Sequence, residues 1–320
     1  MKILGTAFLK GTAAFRQADI AVFHEFVNPP HGGGHQFMSA LYQELERRSL
    51  ILERNRISAT TPVCLFNSFN FDFDRLRRLT RTGCRMVHRV DGPIGVYRGW
   101  DDGTDIRTWE INQELADATI FQSTYSYEAY LDLGLEFRSP RVIMNATNPN
   151  IFNPHGRIKF DRRRKIRIIS TSWSDNPNKG AATYKWLDDH LDWDRFEYTF
   201  VGRSTLQFDR IRIVPPVASD ALAGLLREHD VFIIASRNDP CSNALIEALA
   251  SGLPAIYLTS GGHPEIVGEA GFGFTSDEVI PNLLDRLIED YATRRSMIAI
   301  PTIDDVADRY LDVMRIDETK

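Results

Sequence analysis

The chain has 320 residues, 43% of them hydrophobic, so it is long enough for two domains that each bury a core. Its formal net charge of −5 disfavours a nucleic-acid-binding protein, because such proteins usually carry a clearly basic domain. Its three cysteines, Cys64, Cys84 and Cys241, are widely spaced, which fits neither a disulfide framework nor a paired-cysteine zinc site and indicates a reducing cytoplasm.

The N-terminal residues 1–15 are predicted to form a strand and a loop rather than a signal peptide, because Lys10 interrupts a short apolar run. No stretch reaches the roughly 20 apolar residues that a membrane-spanning helix needs. Any contact with a membrane is therefore expected to be peripheral, at its inner face.

The first half of the chain alternates strands with helices. Helices are predicted from about His35 and Asp72, and strands at residues 19–26, 62–70, 84–91, 118–123 and 141–146. This alternation is typical of βαβ units in a parallel sheet. Before His35, Gly33 and Gly34 would let a phosphate or a sugar approach the backbone, because no Cβ is in the way. A plain flexible turn is the alternative interpretation.

The strand that ends near Asp91 leads into a predicted long polar loop, residues 94–104, and such loops at strand ends often carry function. Asp91 and His88 are candidates for contact with a ligand, although a buried structural role for His88 is equally compatible with its place on the strand. The acidic residues of the loop region are predicted to be solvated rather than metal ligands: Asp101, Asp102 and Asp105.

Six arginines make the region around the second helix basic. They could hold an acidic acceptor or lipid headgroups, but a solvated helix face is the preferred interpretation. These residues are Arg75, Arg77, Arg78, Arg81, Arg85 and Arg89.

The second half repeats the alternation. Helices are predicted at residues 181–190, from about Asn243 and from about Pro264, and strands at residues 164–173, 198–201, 211–214, 231–235 and 254–258. The apolar run at 231–235 lacks alternation, which indicates a parallel strand buried on both faces. Ser242 or Asn243 is expected to cap the next helix, and Gly252 to end it. Ligands of open α/β sheets bind beyond such strand ends, so these turns form a candidate site.

Seven residues separate Asp239 from Glu247, which puts one carboxylate ahead of the helix and the other in its second turn. Both could face one cleft; the alternative is a turn residue and a solvated helix carboxylate. The run DPCSNALIEALASGLPA, followed by SGGHPEIV, resembles the donor-binding signature of GT4-type glycosyltransferases, which are retaining enzymes of the GT-B fold. Their signature is Glu, seven residues, Glu, A-x-A-x-G-x-P and then G-G-x-x-E. Asp239 replaces the first Glu, and the matching residues are Glu247, Ala248, Ala250, Gly252, Pro254, Gly261, Gly262 and Glu265.

The resemblance extends to other segments. Gly33 and Gly34 match a Gly-Gly loop that faces the cleft in this family, and Lys179 matches a lysine that neutralises the donor diphosphate. The arginine expected five residues before that lysine is Ser174 here, with Arg203 as a candidate substitute. The family's catalytic-site His is often followed by Asp, and that dipeptide aligns best with Val90-Asp91, so His88 is offset. Residues 142–154 are similar to the family's interdomain segment, with Asn145, Phe152 and Pro154 matching and Ala146 in place of Gly.

The resemblance implies an α/β protein with two Rossmann-like domains facing each other across a cleft. Residues 1–158 would form the acceptor-side domain and 159–300 the donor domain, and a helix within 301–320 would pack back on the first domain. The implied reaction moves a sugar, with retention, from a nucleoside diphosphate sugar to a hydroxyl of a glycan or lipid-linked acceptor. No metal or other cofactor is expected, and relatives act in the assembly of bacterial capsules and surface polysaccharides.

In this scheme Glu247 holds the ribose hydroxyls, Asp239 a sugar hydroxyl and Lys179 the departing diphosphate. The catalytic-site candidates are Asp91, His88, Lys179 and Asp239; the donor-binding candidates are Gly33, Gly34, Arg203, Val217, Ser242, Asn243, Ala244 and Glu247. Two rivals are a nucleotide-sugar epimerase of the same architecture and a catalytically silent nucleotide-sugar-binding protein. The second rival is favoured by Asp239 and Ser174.

Overall fold

The computed structural model describes residues 17–26, 33–69, 71–174, 176–204 and 206–316. The strand and loop predicted for residues 1–15 lie outside this part of the chain. The described residues form two parallel sheets of six strands each, with helices packed against both faces. None of their helices is long and apolar enough to cross a bilayer.

The first sheet has the strand order β2-β1-β3-β4-β5-β6. Its strands are β1 (Ile20–Phe23), β2 (Leu52–Arg54), β3 (Val63–Phe66), β4 (Arg85–Val90), β5 (Ala118–Phe121) and β6 (Pro140–Val142). The helices of this half are α1 (Gly33–Arg47), α2 (Phe73–Leu79), α3 (Ile94–Arg98), α4 (Thr104–Leu115) and α5 (Thr124–Asp132).

Both faces of this sheet are buried, because successive strand residues point to opposite sides. In β1, Ile20 and Val22 pack in the core cluster that contains α1, whereas Ala21 and Phe23 pack in the cluster that contains α2 and α4. Strand β1 is therefore apolar on both faces, which explains the absence of polar alternation in its sequence.

The second sheet has the order β12-β11-β10-β7-β8-β9. Its strands are β7 (Ile166–Ser172), β8 (Phe196–Gly202), β9 (Arg212–Val214), β10 (Val231–Ile234), β11 (Ala255–Leu258) and β12 (Gly271–Phe274). The helices are α6 (Ala181–His190), α7 (Ser219–Arg227), α8 (Asn243–Ala250), α9 (His263–Val267), α10 (Ile280–Glu289), α11 (Tyr291–Ser296) and α12 (Ile303–Met314). From β7 the chain first adds β8 and β9 on one side and then adds β10, β11 and β12 on the other side. The strand order therefore reverses between β7 and β10.

The C-terminal helix α12 packs against the first sheet, not against the second half that precedes it in the chain. Thr302 and Asp305 begin it with a reciprocal capping box. Its buried residues, among them Val306 and Tyr310, share a core cluster with α1 and β1. Arg48 at the end of α1 lies 2.9 Å from the carboxylate of Asp304.

The prediction of a long polar loop at residues 94–104 is wrong, because this segment contains α3 and the first residue of α4. The Asp105 carboxylate caps α3, accepting the backbone N–H of Ile94 at 2.7 Å and of Gly95 at 2.8 Å. Asp105 is therefore 5% exposed instead of solvated. Sequence spacing did not reveal this cap, since Asp105 reaches back to α3 from the next helix.

Arg89 is also a correction, because it is fully buried and not part of a solvated basic face. Its guanidinium donates hydrogen bonds to Asn67 (2.7 Å), Asp91 (2.8 Å) and Asn145 (3.2 Å), and it lies 4.9 Å from the centre of the Phe37 ring. A buried charge requires a partner, and Asp91 supplies the opposite charge.

Hydrogen bonds join the two halves across the cleft. The Glu265 carboxylate, within α9, accepts the backbone N–H groups of Thr124 and Tyr125 at the start of α5, both at 2.8 Å. The Ser123 hydroxyl donates to the carbonyl of Pro240 at 2.6 Å. A carboxylate at a helix N-terminus satisfies free N–H groups and opposes the positive end of the helix dipole. The cleft is thus held closed by contacts that include the last residue of the G-G-x-x-E motif.

Candidate active site

A cavity of about 270 Å³ lies in the cleft, between the carboxyl ends of the strands in the two sheets. From the second half it is lined by the residues that end β7 and β10 and by the start of α8, and from the first half by α1, α3 and Asp91. Open α/β sheets bind ligands where the strand order reverses, and β7 and β10 flank that point here. The cavity is therefore the candidate active site.

The start of α8 provides unpaired backbone N–H groups to this cavity. Ser242 caps the helix by accepting the N–H of Leu245, and Ser242, Asn243 and Ala244 all line the cavity. The first N–H groups of a helix have no partner within it and carry partial positive charge. This end of the cavity is suited to an anion.

Lys179 and Asp239 form an ion pair in the cavity, with 2.9 Å between Nζ and Oδ2. Burial alone would lower the pKa of Lys179, but the Asp239 charge outweighs it and holds that pKa above its usual value. Burial alone would likewise raise the pKa of Asp239, but the Lys179 charge holds it below its usual value. Both groups are therefore charged at neutral pH. The ring of Tyr97 lies 4.9 Å from Lys179 Nζ.

Lys179 ends the short helical turn Pro177–Lys179 that precedes α6. Gly180 follows with a φ of 85°, a left-handed conformation that disfavours other residues. A Cβ on Gly180 would also lie 2.5 Å from the Cβ of Ala235. Glycine is thus required at position 180 by the close packing of this turn on the end of β10, and the adjacent Lys179 lines the cavity.

Glu247 lies in the second turn of α8 and is 6% exposed, so its alternative interpretation as a solvated carboxylate is wrong. It lines this cavity and an adjoining one of about 360 Å³. Burial raises the pKa of Glu247 to about 8, and no residue in the described part of the chain donates a hydrogen bond to it. The carboxyl group is therefore available to a ligand that can donate hydrogen bonds.

The Gly-Gly turn of the motif packs directly on the Asp239 loop. Gly261 has a φ of 64°, and a Cβ there would lie 2.7 Å from the backbone nitrogen of Asp239. The N–H of Gly262 donates to the Asp239 carbonyl at 2.9 Å. Both glycines therefore fix the loop that carries Asp239, which gives this part of the motif a physical reason.

Asp91 and His88 have different environments although both lie at the end of β4. Asp91 lines the cavity, and its Oδ1 accepts hydrogen bonds from Arg89 and Gln122. His88 is fully buried, stacks on Phe66 with 4.2 Å between ring centres, and does not line the cavity. Burial lowers the pKa of His88 to about 3, so the ring is neutral. The structure contradicts His88 as a catalytic-site residue and favours the alternative structural role.

Four further predicted residues differ in their relation to the cavity. Arg203 is exposed, and Val217 packs against the core of the second half; neither lines the cavity. Gly34 does line it, and a Cβ there would contact nothing within 4 Å. Gly33 is the first residue of α1. The space beside Gly34 is therefore open to a ligand, whereas Arg203 does not supply the charge expected at Ser174.

The residues that line the cavity but were not predicted as site residues include Tyr97, Gln122, Trp173 and Cys241. Gln122 and Trp173 each directly follow a strand, β5 and β7, and that position at a strand's carboxyl end was the available signal. Burial raises the pKa of the Cys241 thiol to about 12, so it is not a thiolate nucleophile.

The carboxylates that could hold a metal lie elsewhere. Within the described ranges, the group whose oxygen atoms converge within 4.8 Å consists of Asp188, Asp189 and Asp209, none of which lines the cavity. Asp188 there accepts backbone N–H groups, and Lys185 pairs with all three carboxylates. Asp101 and Asp102 are exposed, as predicted.

Comparison with known proteins identifies part of the chain and its fold. Residues 191–290 match the family described as "Glycosyl transferases group 1". An 84-residue segment is 32% identical to D-inositol 3-phosphate glycosyltransferase of Streptomyces avermitilis, covering 26% of this chain and 18% of that relative's length. The resemblance to glycosyltransferases is thus confirmed, in the form of a group 1 glycosyltransferase domain.

The whole chain resembles solved structures in fold. It superposes on sucrose-phosphate synthase from Thermosynechococcus elongatus with a TM-score of 0.71 and 16% identity, covering 93% of this chain and 98% of that one. Anabaena HepE in complex with UDP-glucose gives a TM-score of 0.63 and 14% identity, with 92% and 94% covered. The expected GT-B fold is confirmed.

Proposed function

We propose that this protein is a glycosyltransferase that moves a sugar from a nucleoside diphosphate sugar to an acceptor hydroxyl with retention of configuration. The observation that carries this proposal is the set of three features in one cavity: the Lys179–Asp239 pair, the N-terminus of α8 and the buried Glu247. The Lys179–Asp239 pair suits a sugar hydroxyl, the N-terminus of α8 suits a diphosphate, and Glu247 suits a ribose diol.

Each group has a role that follows from its chemistry. Glu247 accepts hydrogen bonds from the ribose hydroxyls, and Asp239 accepts one from the donor sugar. The N–H groups of α8, together with Lys179, stabilise the negative charge that grows on the departing diphosphate. Asp91 holds a sugar hydroxyl through its other oxygen, because Arg89 and Gln122 already occupy its Oδ1.

In the proposed reaction the bond between the anomeric carbon and the diphosphate oxygen breaks, and its electron pair passes to that oxygen. The acceptor oxygen bonds to the anomeric carbon from the same face, and its proton passes to the departing phosphate oxygen. No general base on the opposite face is needed, and the neutral, buried His88 does not provide one. Because Lys179 and α8 supply positive charge, we infer that no divalent metal is required.

The relatives support the donor class. HepE was solved with UDP-glucose, and the Streptomyces relative is by name a glycosyltransferase of D-inositol 3-phosphate. By extension we propose a nucleotide-sugar donor and a glycan or lipid-linked acceptor for this chain. A peripheral position at a membrane is compatible with a lipid-linked acceptor.

A thermal-shift screen against UDP-, GDP- and ADP-sugars tests donor binding. A ligand at about 100 times its Kd should stabilise the protein by roughly 2.7 kcal/mol. The absence of stabilisation by every nucleotide sugar would refute the proposal. With the donor known, the anomeric proton coupling of the early product, measured by NMR from an α-linked donor, tests retention, and a β-linked product would contradict it. Donor epimerisation without transfer, or binding without turnover, would select one of the two rivals.

A further inference from the structure

Trp100 is an exposed aromatic residue close to the candidate active site. Its side chain is 57% exposed, more than any other large hydrophobic residue in the described part of the chain. It lies between α3 and α4, and its ring contact is with the guanidinium of Arg98, 5.5 Å from the ring centre. Exposing an indole to water forgoes the burial that stabilises most tryptophans. A large exposed aromatic side chain therefore needs an explanation.

The turn that carries Trp100 is well defined by its own hydrogen bonds. Gly99 and Gly103 flank it in left-handed conformations, with φ of 81° and 76°. Asp101 Oδ1 accepts the N–H of Gly103 at 2.7 Å, and the Asp102 carboxylate lies 3.3 Å from Arg98. Trp100 is thus held outward by a structured turn, not by a loop without fixed contacts.

This turn contacts the donor side of the cleft. Tyr97 lines the cavity, and its carbonyl accepts a hydrogen bond from the Asn178 side chain at 2.9 Å. A Cβ on Gly99 would lie 3.5 Å from the same amide nitrogen. Asn178 directly precedes Lys179 of the proposed diphosphate site. The segment from Tyr97 to Gly99 packs against Asn178, and Trp100 is the next residue after this segment.

The groups around Trp100 fit a sugar ring better than a lipid surface. A pyranose has apolar C–H faces that stack on an indole, and equatorial hydroxyls that bond to carboxylates and guanidinium groups. Anionic membranes attract basic segments. Here Arg98 and Arg107 are offset by Asp101, Asp102 and Glu110, which are exposed acidic residues in the same segment.

We propose that Arg98, Trp100, Asp101 and Asp102, termed the Trp100 platform, bind a saccharide acceptor by stacking one of its rings on the indole. The inference rests on the proposed function, because the acceptor is defined by the reaction. It narrows the acceptor from any hydroxyl compound to a glycan with at least one ring beyond the reacting one.

Two variants and a control test the platform by kinetics. Trp100→Ala, Trp100→Phe and Leu133→Ala are compared, the last being an apolar residue 48% exposed on the same half of the chain. Maltotriose, cellotriose, chitotriose and mannotriose serve as acceptors with the nucleotide sugar found in the screen. Trp100→Ala should raise the acceptor KM about tenfold, with the donor Kd and donor hydrolysis unchanged. Trp100→Phe should retain most of the affinity, and Leu133→Ala should behave as wild type.

A binding measurement keeps this test separate from the proposed reaction. The indole N–H resonance of Trp100, assigned by its loss in Trp100→Phe, should shift when one of the four trisaccharides is added to the protein with nucleoside diphosphate. The platform proposal is overturned if no trisaccharide moves this resonance, or if Trp100→Ala leaves the acceptor KM unchanged. It is also overturned if Trp100→Ala abolishes cosedimentation with phosphatidylglycerol vesicles while the acceptor KM stays the same, since a membrane contact would then explain the exposure.

Discussion

The protonation of Glu247 predicts a specific pH dependence for nucleotide-sugar binding. Burial raises the pKa of this carboxyl to about 8, so near neutral pH it is mostly protonated in the free protein. A ribose diol presents two O–H donors, and an ionised carboxylate accepts both more strongly than a neutral carboxyl does. Binding should therefore select the ionised form and improve as the pH rises.

The magnitude follows from the same pKa. At about pH 6 only about 1% of the carboxyl is ionised, and each pH unit below about 8 costs a factor of about ten in that fraction. The affinity for the nucleotide sugar should accordingly rise about 50-fold between about pH 6 and 8, where about half of the carboxyl is ionised, and level off at about 100-fold above about pH 9. The Lys179–Asp239 ion pair keeps both charges over this range, because the pKa of Asp239 is lowered and that of Lys179 is raised.

Calorimetric titration of the nucleotide sugar against wild type, Glu247→Gln and Glu110→Gln between about pH 6 and 8.5 measures this effect. The amide that replaces the carboxyl in Glu247→Gln cannot ionise, so this variant should lose the pH dependence and bind roughly tenfold or more weakly than wild type at the upper pH. Glu110 is exposed, and its variant should match wild type. A flat wild-type profile, or the same profile in Glu247→Gln, would refute the assignment of Glu247 to the ribose.

Four further outcomes are expected. Lys179→Ala should lower kcat by about 100-fold or more, with partial recovery in Lys179→Arg, because the leaving diphosphate loses its cation; an unchanged kcat in steady-state assays would contradict this. Glu265→Gln weakens the charged cap on α5, so it should raise the donor KM and the radius of gyration seen by small-angle scattering, whereas Glu269→Gln should do neither. EDTA should leave transfer intact, and rescue of an EDTA-treated sample by Mn²⁺ would reveal a metal requirement. The Tm of wild type should fall relative to that of Glu247→Gln as the pH rises from the ordinary carboxyl pKa of 4.5 towards about 8, and the difference should then level off. Over this range the unfolded chain has released a proton that the Glu247 carboxyl of the folded protein still holds. If the Tm values of the two proteins change in parallel with pH, this linkage is excluded.

The sequence by itself determined the second half most completely. The strand Val231–Ile234 and the spacing from Asp239 to Glu247 are local features, set by hydrophobic pattern, capping and helical periodicity. These features predicted a strand, a turn and a helix with both carboxylates near its start, and both line the same cavity. The Gly-Gly turn was recognised as a motif, although its reason, contact with the backbone of Asp239, is visible only in three dimensions.

The tertiary structure decided the features that depend on distant residues. The spacing of residues in the sequence does not reveal which side chains are buried or what they contact. The sequence therefore did not show that His88 is a neutral ring stacked on Phe66, whereas Asp91 lines the cavity. Contacts between different elements also decide that Asp105 caps α3 and that Glu265 caps α5, where it bonds to Thr124, 141 residues away in the chain. Local pattern fixes the type of an element because its period is set by nearby residues, whereas the charge state and exposure of a side chain depend on which distant elements pack around it.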